Sequence, residues 1–407
     1  MASVAFFTFA IFHLFFALHI KDYFSIIKNY DEKPVDSIFY QNEYIVPEYE
    51  NIVFPDKKKN LVIILLESME SSFADAENGG LMQKNLIPNL TKIAKENINF
   101  SDSETLGGAP DLFGTGWTVA AMTAKFSGLP YNMIVQKNAN HVSFLPNAVT
   151  LTDILAKNGY NQRFIFGSDK HFAGRDALLE THGNVEVHDI EWYKNHNMLP
   201  KNYGVFWGFE DEKLFEYAKW ELSELSEQEK PFMLGLLTVD THMPSGYICE
   251  KCPADEDMPL KNAIRCSDAQ TAEFLAWCKT QDWYTDTVFA IMGDHLFMDT
   301  AQTTPFSPDT DKNARRWIDI FINATPVIFT QNIKNREFSD FDMFPTMLSA
   351  LGCKIRNNRL GFGVDLFSSE PTLLERFSKE EINKQLSVRS KQYLELEFSK
   401  DKLKFEQ

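Results

Sequence analysis

Short apolar runs alternate with helical stretches from residue 60 onward. The runs are four to six residues long, and runs of this length bounded by polar residues are typical of strands that are buried on both faces of a sheet. Strands that alternate with helices indicate an α/β domain with a mostly parallel sheet flanked by helices. The predicted strands are 61–66, 163–166, 232–237, 287–292 and 326–329. The predicted helices are 87–97, 118–127, 150–158, 213–225, 269–279 and 340–351.

The first twenty residues form a separate apolar stretch, and Lys21 is the first charged side chain. A helix of about 20 residues crosses the hydrocarbon core of a bilayer, which is about 30 Å thick. A cleaved signal peptide would show a basic start and a small-residue cleavage site, and this stretch has neither. A buried core helix would be shorter. We therefore predict a transmembrane helix at residues 1–20, with a signal peptide as the alternative.

The rest of the chain divides into three parts. Residues 21–59 mix both charges with Tyr, Asn and Pro and show no sustained period, which is typical of a linker. Residues 60–370 carry the strands and helices of the α/β domain. Residues 371–407 are charged and helix-prone, and acidic residues roughly match basic ones. This balance predicts a helical tail that packs on the domain, in preference to a helix that lies on a membrane.

Composition and charge narrow the class of protein. The chain has 407 residues, of which 44% are hydrophobic and 24% charged, as in folded globular proteins and unlike disordered chains. Its 40 Lys and Arg are outnumbered by 57 Asp and Glu, which gives a formal net charge of -17. Nucleic-acid binding needs a surplus of basic residues to neutralise phosphates. We therefore expect a folded protein that does not bind nucleic acid.

Four of the five cysteines, Cys249, Cys252, Cys266 and Cys278, lie within thirty residues. A zinc ribbon needs a second tightly spaced pair, and the last two cysteines lack that spacing. A loop that is cross-linked by a disulfide is the favoured interpretation. Such a disulfide would place this part of the chain outside the cytosol. The pattern leaves the pairing open. Cys353 is expected to be a buried thiol.

Polar side chains follow three of the predicted strands, at the point where each strand ends. Glu67 follows the first strand, Asp240 and His242 follow the third, and Asp294 and His295 follow the fourth. Ligands of open α/β sheets bind at the carboxyl ends of the strands, so these side chains should converge. Carboxylates and imidazoles are ligands for divalent metals. The sequence therefore predicts a metal site at this edge of the sheet.

A candidate nucleophile lies in the segment GTGWTVAAM at residues 114–122. Gly114 and Gly116 permit a close approach of the backbone, and Thr118 begins a predicted helix of small residues. The first turn of a helix presents unpaired N–H groups and the positive end of the helix dipole, which stabilise a bound phosphate and an alkoxide. Beside a metal, Thr118 could attack phosphorus. The alternative is that Thr118 only caps the helix.

Five segments share their order with the motifs of a known family: LESMES at 66–71, GTGWTVAAM at 114–122, FAGRDALLETHG at 172–183, LTVDTHMPSGY at 237–247 and GDHLFM at 293–298. Together they resemble the periplasmic phosphoglycerol transferases that modify membrane-derived glucans, in the lipoteichoic acid synthase branch of the alkaline phosphatase and sulfatase superfamily. The resemblance covers about residues 60–367. It implies an alkaline phosphatase/sulfatase-like fold and a catalytic domain at 60–370.

The resemblance also implies a catalytic metal site. In such enzymes one divalent metal is held by a Glu after the first strand, by the nucleophilic Thr and by an Asp-His pair. The matching residues are Glu67, Thr118, Asp294 and His295. The expected metal is manganese, with zinc and magnesium as alternatives.

Further residues carry over from the family motifs. His242 and Arg175 match residues that bind the substrate phosphate and act in catalysis, and His182 is expected to touch substrate. Asp240 and Asp299 are expected to orient the metal ligands. The paired cysteines of the relatives imply a disulfide that joins Cys252 to Cys266, and they leave the pairing of Cys249 and Cys278 open.

The chain departs from related enzymes at three points. FAGRD at 172–176 differs from the FWNRD-like sequence of lipoteichoic acid synthases, which favours the glucan-modifying type. Gly116 stands where those relatives often have Asp, which bears on the surroundings of the metal. The C/S-x-P-x-R segment of sulfatases proper is absent from the sequence, which argues against sulfate ester hydrolysis.

The resemblance implies a two-step transfer at the bacterial inner membrane, with the catalytic domain in the periplasm. Thr118 attacks phosphatidylglycerol, diacylglycerol leaves, and a hydroxyl of an extracytoplasmic glycan then takes the phosphoglycerol group. The acceptor could be a glucan, lipopolysaccharide or capsule. The alternatives are a phosphoethanolamine transferase that acts on lipopolysaccharide, a hydrolase, and a catalytically inactive relative that binds lipid or glycan.

Overall fold

The computed structural model describes residues 32–133, 144–298, 303–330 and 333–398. The predicted transmembrane helix at 1–20 lies outside these residues. Within them, every helix is too short or too polar to cross a membrane.

A seven-stranded sheet forms the centre of the molecule, with the strand order β3-β8-β7-β2-β6-β4-β5. The strands from β7 to β5 are parallel, and β8 is antiparallel to both of its neighbours. The sheet is therefore mixed, with mostly parallel strands. Its strands are β2 (Asn60–Leu66), β3 (Ile98–Asn99), β4 (Asn161–Phe166), β5 (Glu186–His188), β6 (Phe232–Leu237), β7 (Thr287–Gly293) and β8 (Asp319–Ile322). Short antiparallel pairs lie outside the sheet, namely β1 (Ile52–Val53) with β9 (Lys354–Ile355) and β10 (Arg359–Leu360) with β11 (Gly363–Val364).

Helices cover both faces of the sheet. The odd residues of β2, such as Leu61 and Ile63, pack in one core with α3, α4 and α9. The even residues, such as Val62 and Ile64, pack in a second core with α2, α7 and α8. The helices are α1 (Ile38–Glu43), α2 (Pro88–Glu96), α3 (Thr118–Ser127), α4 (Leu151–Lys157), α5 (Arg175–Thr181), α6 (Ile190–Asn195), α7 (Asp211–Ser226), α8 (Pro259–Cys278), α9 (Met343–Ala350), α10 (Leu373–Arg376), α11 (Lys379–Leu386) and α12 (Lys391–Glu397).

Four of the five predicted strands are present with shifts of at most two residues, because they are the central strands, whose two buried faces impose continuous apolar runs. The strand predicted at 326–329 is wrong. Val327, Ile328 and Phe329 lie in a loop with exposed fractions of 52%, 47% and 45%. The strand next to β7 is β8 instead, which begins with Asp319, pairs antiparallel with β7 and is flanked on its other side by β3. A local run of apolar residues resembles a strand, but only pairing with a neighbour makes one.

The segments on either side of the predicted domain pack on it. In the described part of residues 21–59, Phe39 and Tyr40 are buried, and both rings contact the ring of Phe362. This stretch therefore packs as part of the domain and is not a free linker. In the C-terminal segment, Ile382 is fully buried, and the hydroxyl of Tyr393 donates to the carbonyl of Pro130 at 2.9 Å.

The register of the sheet brings three strand ends together. Leu66 of β2 lies opposite Gly293 of β7, and Leu65 lies opposite Leu237 of β6. The residues that follow these strands therefore begin at the same edge. The backbone N–H of Asp294 donates to the carbonyl of Leu66 at 3.1 Å, which extends the pairing of β2 and β7 by one residue.

Candidate active site

Glu67, Asp294 and His295 form a buried cluster at this edge. One possible ligand atom from each residue lies within 4.8 Å of the others. The Nε2 atom of His295 is 3.4 Å from Oδ2 of Asp294 and 3.6 Å from Oε1 of Glu67. None of the three side chains is more than 3% exposed.

The backbone orients the carboxylate of Asp294. Its Oδ1 atom accepts hydrogen bonds from the backbone N–H groups of Ser68 and His295, both at 2.7 Å. Its Oδ2 atom is buried without a hydrogen-bond partner among the described residues. A buried oxygen of this kind is unfavourable unless it binds a ligand. One oxygen therefore holds the carboxylate in place, and the other faces the centre of the cluster.

The imidazole of His295 is held in the same manner. Its Nδ1 atom lies 2.8 Å from the carbonyl of Leu296, so Nδ1 carries the proton and donates it. Its Nε2 atom has no hydrogen-bond partner in the described part of the chain. This arrangement is typical of histidines that bind a metal.

Glu67 completes the cluster. Its Oε1 atom accepts from the hydroxyl of Ser68 at 2.7 Å, and its backbone N–H donates to the hydroxyl of Thr238 at 2.8 Å. Burial, and next the charge of Asp294, raise the pKa of Glu67 well above its ordinary value. Two buried carboxylates and an imidazole are a donor set that suits a divalent cation, which would relieve the repulsion between the carboxylates.

Thr118 is the first residue of α3 and is partly exposed. Seven residues are about two turns, so Thr118 shares a helix face with Lys125, about 10 Å away along the axis. The Nζ atom of Lys125 donates to the carbonyl of Asp294 at 3.2 Å. The helix face that carries Thr118 is therefore the face that packs against the metal-ligand segment.

An acidic side chain lies beside Gly116, just before this helix. A Cβ atom on Gly116 would lie 2.9 Å from Oδ1 of Asp111. The hydroxyl of Thr115 also lies within 3.4 Å of that oxygen. The carboxylate of Asp111 therefore occupies the space that a side chain at position 116 would need. Glycine has no side chain there, whereas related enzymes often carry Asp at this position.

Arg175 begins α5 and is 4% exposed. Its Nη2 atom donates to the hydroxyl of Ser168 and to the carbonyl of Asp169, and its guanidinium lies over the ring of Phe166 at 4.3 Å. Its Nε atom is buried without a hydrogen-bond partner among the described residues. Burial lowers the pKa of Arg175 to about 10, and the charges of Asp169 and Glu67 act against this shift. Arg175 remains a cation near the cluster, with one donor available for an anion.

His242 lies on the other side of the cluster. Its Nδ1 atom lies 2.8 Å from the carbonyl of Met243, and its ring is 4.8 Å from the ring of Trp207. The pKa of His242 is lowered to about 4, mainly by burial; the bond to Met243 and the charge of Asp294 act against this shift, and the charges of His295 and Arg175 act with it. The imidazole is therefore neutral at neutral pH, with its proton on Nδ1 and a lone pair on Nε2.

The structure does not bring His182 to the cluster. His182 follows α5, about 10 Å along the helix axis from Arg175. Its Nδ1 atom bonds to Asp153 at 2.8 Å and its Nε2 atom bonds to the carbonyl of Phe144 at 2.7 Å. Both ring nitrogens are used within the fold, so His182 has no nitrogen left for the substrate contact expected from its motif.

The two acidic residues expected to orient ligands differ in outcome. Asp240 accepts at Oδ2 from the backbone N–H of Asp211 at 3.0 Å, so it holds the start of α7. Burial, and next the charge of Asp211, raise the pKa of Asp240 to about 9. Asp299 lies outside the described residues.

Sequence reasoning missed two contributors to the site. Lys125 is fully buried and forms an ion pair with Asp340 in addition to its bond to Asp294. A lone cation inside the small-residue helix VAAMTAKFS was the available signal. Trp207, which contacts His242, belongs to no motif, and a tryptophan between glycines offered only a weak signal.

The cysteines lie beyond His242 in the chain. Cys252 and Cys266 form a disulfide with a Cα–Cα distance of 4.9 Å, which joins the loop after β6 to α8. The Sγ atom of Cys249 lies 3.5 Å from that of Cys252. Cys249, Cys278 and Cys353 are buried free thiols.

Comparison with known proteins gives a family match and named relatives. A family model described as Sulfatase matches residues 59–353. Phosphoglycerol transferase I of Xanthomonas axonopodis pv. citri (strain 306) is 31% identical over 353 residues, which are 84% of this chain and 47% of that relative. The chain thus spans about half the length of this relative.

Two solved structures have a similar fold. A protein in the alkaline phosphatase superfamily from Vibrio parahaemolyticus has a TM-score of 0.57 and 22% identity, covering 86% of this chain and 79% of that one. The lipoteichoic acid synthase LtaP from Listeria monocytogenes has a TM-score of 0.56 and 19% identity, covering 80% of this chain and 79% of that one. The α/β fold with a mixed sheet is therefore of the alkaline phosphatase type.

Proposed function

Because the chain belongs to the sulfatase family, we propose that it is a metal-dependent transferase of phosphoglycerol. In this proposal the donor is phosphatidylglycerol, the acceptor is a hydroxyl of an extracytoplasmic glycan, and diacylglycerol is released. The name of the Xanthomonas relative, phosphoglycerol transferase I, supports this choice over hydrolysis of sulfate esters. The absence of a C/S-x-P-x-R segment from the sequence supports it as well.

The observation that carries the proposal is the cluster of Glu67, Asp294 and His295. It contains a carboxylate oxygen and an imidazole nitrogen that are buried, face each other and have no hydrogen-bond partner among the described residues. These three residues, together with the hydroxyl of Thr118, would hold the divalent metal, with manganese as the first candidate and zinc or magnesium as alternatives. When bound, the metal supplies positive charge that stabilises the phosphoryl oxygens and the alkoxide of the nucleophile.

The residues around the cluster suit a two-step transfer. The hydroxyl oxygen of Thr118 bonds to phosphorus, the bond from phosphorus to the diacylglycerol oxygen breaks, and diacylglycerol leaves with a proton. The acceptor hydroxyl then bonds to phosphorus, the bond to Thr118 breaks, and the threonine regains its proton. Arg175 binds the phosphoryl oxygens through its available donor, and His242 accepts or returns the proton at Nε2.

The proposed location of the protein is the inner membrane and the periplasm of a bacterium. Residues 1–20 anchor the chain in the bacterial inner membrane, and the domain acts in the periplasm. The disulfide between Cys252 and Cys266 supports an oxidising compartment. The acceptor is a glucan, lipopolysaccharide or capsule, and each of these offers hydroxyl groups in that compartment.

The nucleophile is tested by mass spectrometry of the full chain after incubation with phosphatidylglycerol. We expect a phosphoglycerol adduct on Thr118, and we expect Thr118→Ala to abolish both the adduct and the transfer of label to a glycan. Thr123→Ala is the matched control, because Thr123 lies in the same helix with its hydroxyl bonded to the carbonyl of Val119 at 2.7 Å.

The same experiment separates the alternatives. A phosphoethanolamine adduct formed from phosphatidylethanolamine would identify the other class of transferase. Metal binding without any adduct would favour an inactive relative. Full transfer by the Thr118→Ala variant would disprove the nucleophile assignment.

A further inference from the structure

Exposed apolar side chains surround the mouth of the candidate site. Phe172, Val205 and Ile248 are 45%, 39% and 36% exposed. Phe206, Trp207 and Tyr247 are partly exposed. The first two follow Val205 in the chain, and Tyr247 precedes Ile248. We call these six residues the collar.

Two parts of the collar flank Arg175. The ring of Phe172 lies 5.9 Å from the guanidinium carbon of Arg175. The hydroxyl of Ser168, which accepts a hydrogen bond from Arg175, belongs to a residue that forms a β-bridge with Gly208. The backbone N–H of Val205 donates to the carbonyl of Gly208 at 2.9 Å. The loop of Val205 is thus attached to the residue that positions Arg175.

The remaining parts of the collar flank His242. The ring of Trp207 lies 4.8 Å from the ring of His242, and its Nε1 atom donates to the carbonyl of Met243 at 3.4 Å. The ring of Tyr247 stacks on that of Phe206 with 6.2 Å between centroids. Ile248 follows Tyr247 directly in the chain and is 36% exposed.

The backbone beneath the collar is tightly packed. A Cβ atom on Gly208 would lie 1.9 Å from the carbonyl oxygen of Gly167, so only glycine permits this contact. The N–H of Phe209 donates to the same carbonyl at 2.9 Å. The loop that carries Val205, Phe206 and Trp207 is therefore held against the end of β4.

We propose that the collar docks on the surface of a phospholipid bilayer and receives the acylglycerol part of the donor lipid while its phosphate binds at Arg175 and His242. The inference rests on the proposed function, because it takes a phospholipid as donor. In such a lipid the acyl chains begin a few bonds from the phosphate, so the surface next to the phosphate site must face apolar material.

The chemistry of the collar favours a lipid over a sugar. Tryptophan and tyrosine are enriched at the membrane–water interface, where one part of the ring is apolar and the other is hydrated. Aliphatic side chains such as Val205 and Ile248 gain from burial in acyl chains and offer no hydrogen bond to a sugar hydroxyl. A glycan acceptor at the same surface is an outcome that the experiment distinguishes.

The chain provides a matched control for the collar. Val327 and Ile328 are 52% and 47% exposed and lie in the loop after β8. Ile322 at the end of β8 pairs with Phe289 near the start of β7, so this loop lies at the opposite edge of the sheet from the candidate site. The pair repeats the residue types of Val205 and Ile248.

The test uses the full chain reconstituted in vesicles of phosphatidylglycerol and phosphatidylcholine. Val205→Ser combined with Ile248→Ser should raise the KM for vesicle phosphatidylglycerol by about threefold or more, because two apolar contacts are lost. With a soluble short-chain phosphatidylglycerol the increase in KM should be smaller, because that donor reaches the site without docking of the protein on a bilayer. Val327→Ser combined with Ile328→Ser should change neither quantity.

A second readout does not depend on turnover. Phosphatidylglycerol with a photoactivatable acyl chain should label residues of the collar and leave the loop of Val327 and Ile328 unlabelled, as mapped by peptide mass spectrometry. Equal labelling of both surfaces, or an unchanged KM, would overturn the proposal. A raised KM for the glycan acceptor alone would assign the collar to the acceptor and overturn it as well. If the parent protein transfers nothing from either donor, the proposed function fails, and the labelling map still decides the role of the collar.

Discussion

Asp294 divides its two carboxylate oxygens between different tasks. One oxygen accepts two backbone N–H groups, from Ser68 and His295, and the other is buried without a hydrogen-bond partner in the described residues. The geometry of the carboxylate is thus set by the backbone before any ligand binds. Preorganisation of this kind lowers the cost of ordering the site when a ligand enters.

The ligand role of Asp294 predicts the effect of Asp294→Asn. The amide keeps an oxygen that can accept the two N–H groups but lacks the negative charge, so we expect the affinity for Mn²⁺ to fall by about 10–100-fold or more. Isothermal titration calorimetry of the metal-free protein measures this change. Asp282→Asn, at an exposed position, should bind Mn²⁺ like the parent, and equal affinity in both variants would contradict the assignment.

His182 shows the opposite case, in which a motif histidine serves the fold. Its bond to Asp153 joins the start of α4 to the end of α5, because Asp153 also caps α4. Burial alone would raise the pKa of Asp153, but the hydrogen bond and charge of His182 outweigh it and lower the pKa. The ionised carboxylate of Asp153 therefore contributes stability above the ordinary pKa of an aspartate, and this contribution is lost as the pH falls through the lowered value.

We expect His182→Gln to lower the free energy of unfolding at pH 7 by about 1–3 kcal/mol, because a buried hydrogen-bond partner is lost. The difference from the parent should shrink as the pH falls below about 4, the ordinary pKa of an aspartate, and through the lowered pKa that Asp153 has in the parent. Urea denaturation at pH 7 and pH 3 measures both values. The kinetics of transfer should stay unchanged. A variant with normal stability and a raised KM would contradict this prediction and would support a contact between His182 and the substrate.

At the scale of elements, α3 is tied to the metal-ligand segment by a single buried cation. Lys125 contacts both the carbonyl of Asp294 and the carboxylate of Asp340, and its Nζ atom lies 5.0 Å from the centre of the Trp317 ring. Burial raises the pKa of Asp340 to about 7 in spite of the charge of Lys125. The helix that carries Thr118 is therefore positioned by a charge pair in the protein interior.

Removing this cation should be costly. Lys125→Met leaves the carboxylate of Asp340 buried without its partner, and we expect a loss of about 3–5 kcal/mol in the free energy of unfolding. Adding Asp340→Asn to that variant should recover part of the loss, since the uncompensated charge is gone. Urea denaturation of both variants measures the effect. Lys92→Met, at an exposed site, is the control, and a Lys125→Met variant as stable as this control would disprove the positioning role.

Elements at the edges of the fold were harder to predict than those at the centre. The strand β2 is apolar on both faces because helices cover both, and its sequence shows this directly. Strand β8 begins with the buried Asp319 and has only four residues, so its sequence does not distinguish it from a loop. Its strand character depends on pairing with β7, which is contributed by distant residues.

For the whole molecule, the proposed metal site would couple metal binding to the stability of the fold. The pKa of Glu67 is raised by burial and by Asp294, so the metal-free fold favours its protonated form. This contribution is present at low pH and is lost as the pH rises through the raised pKa. A bound cation favours the ionised form instead, so the stabilisation by metal should increase with pH.

Thermal melting of the full chain tests this coupling. At a free Mn²⁺ concentration 100 times the dissociation constant, we expect a stabilisation of about 2.7 kcal/mol relative to protein treated with EDTA. At one fixed concentration of free Mn²⁺, the gain should be larger at pH 8 than at pH 6, because the affinity for the cation rises as Glu67 ionises. Mn²⁺ should stabilise the Asp294→Asn variant only slightly. If Mn²⁺ left the melting temperature of the parent unchanged at both pH values, the result would contradict a metal site in the native fold.

The sequence by itself determined the class of fold, the central strands and the edge at which the site lies. Central strands of a parallel sheet are buried on both faces, so their apolar runs and the polar residues that follow them are local signals. Glu67, His242, Asp294 and His295 could be predicted for this reason. The order of the motifs, compared with that of a known family, predicted two roles for Thr118, namely nucleophile and metal ligand.

Only the tertiary structure decided how each side chain is used. It buries Arg175 where its charge acts on Glu67 and bonds it to Ser168, it ties His182 into the fold, and it brings Lys125 to Asp340 from 215 residues away. It also gathers the collar from three separate loops. These outcomes depend on contacts between residues far apart in the chain, and local patterns of polar and apolar positions carry no record of them.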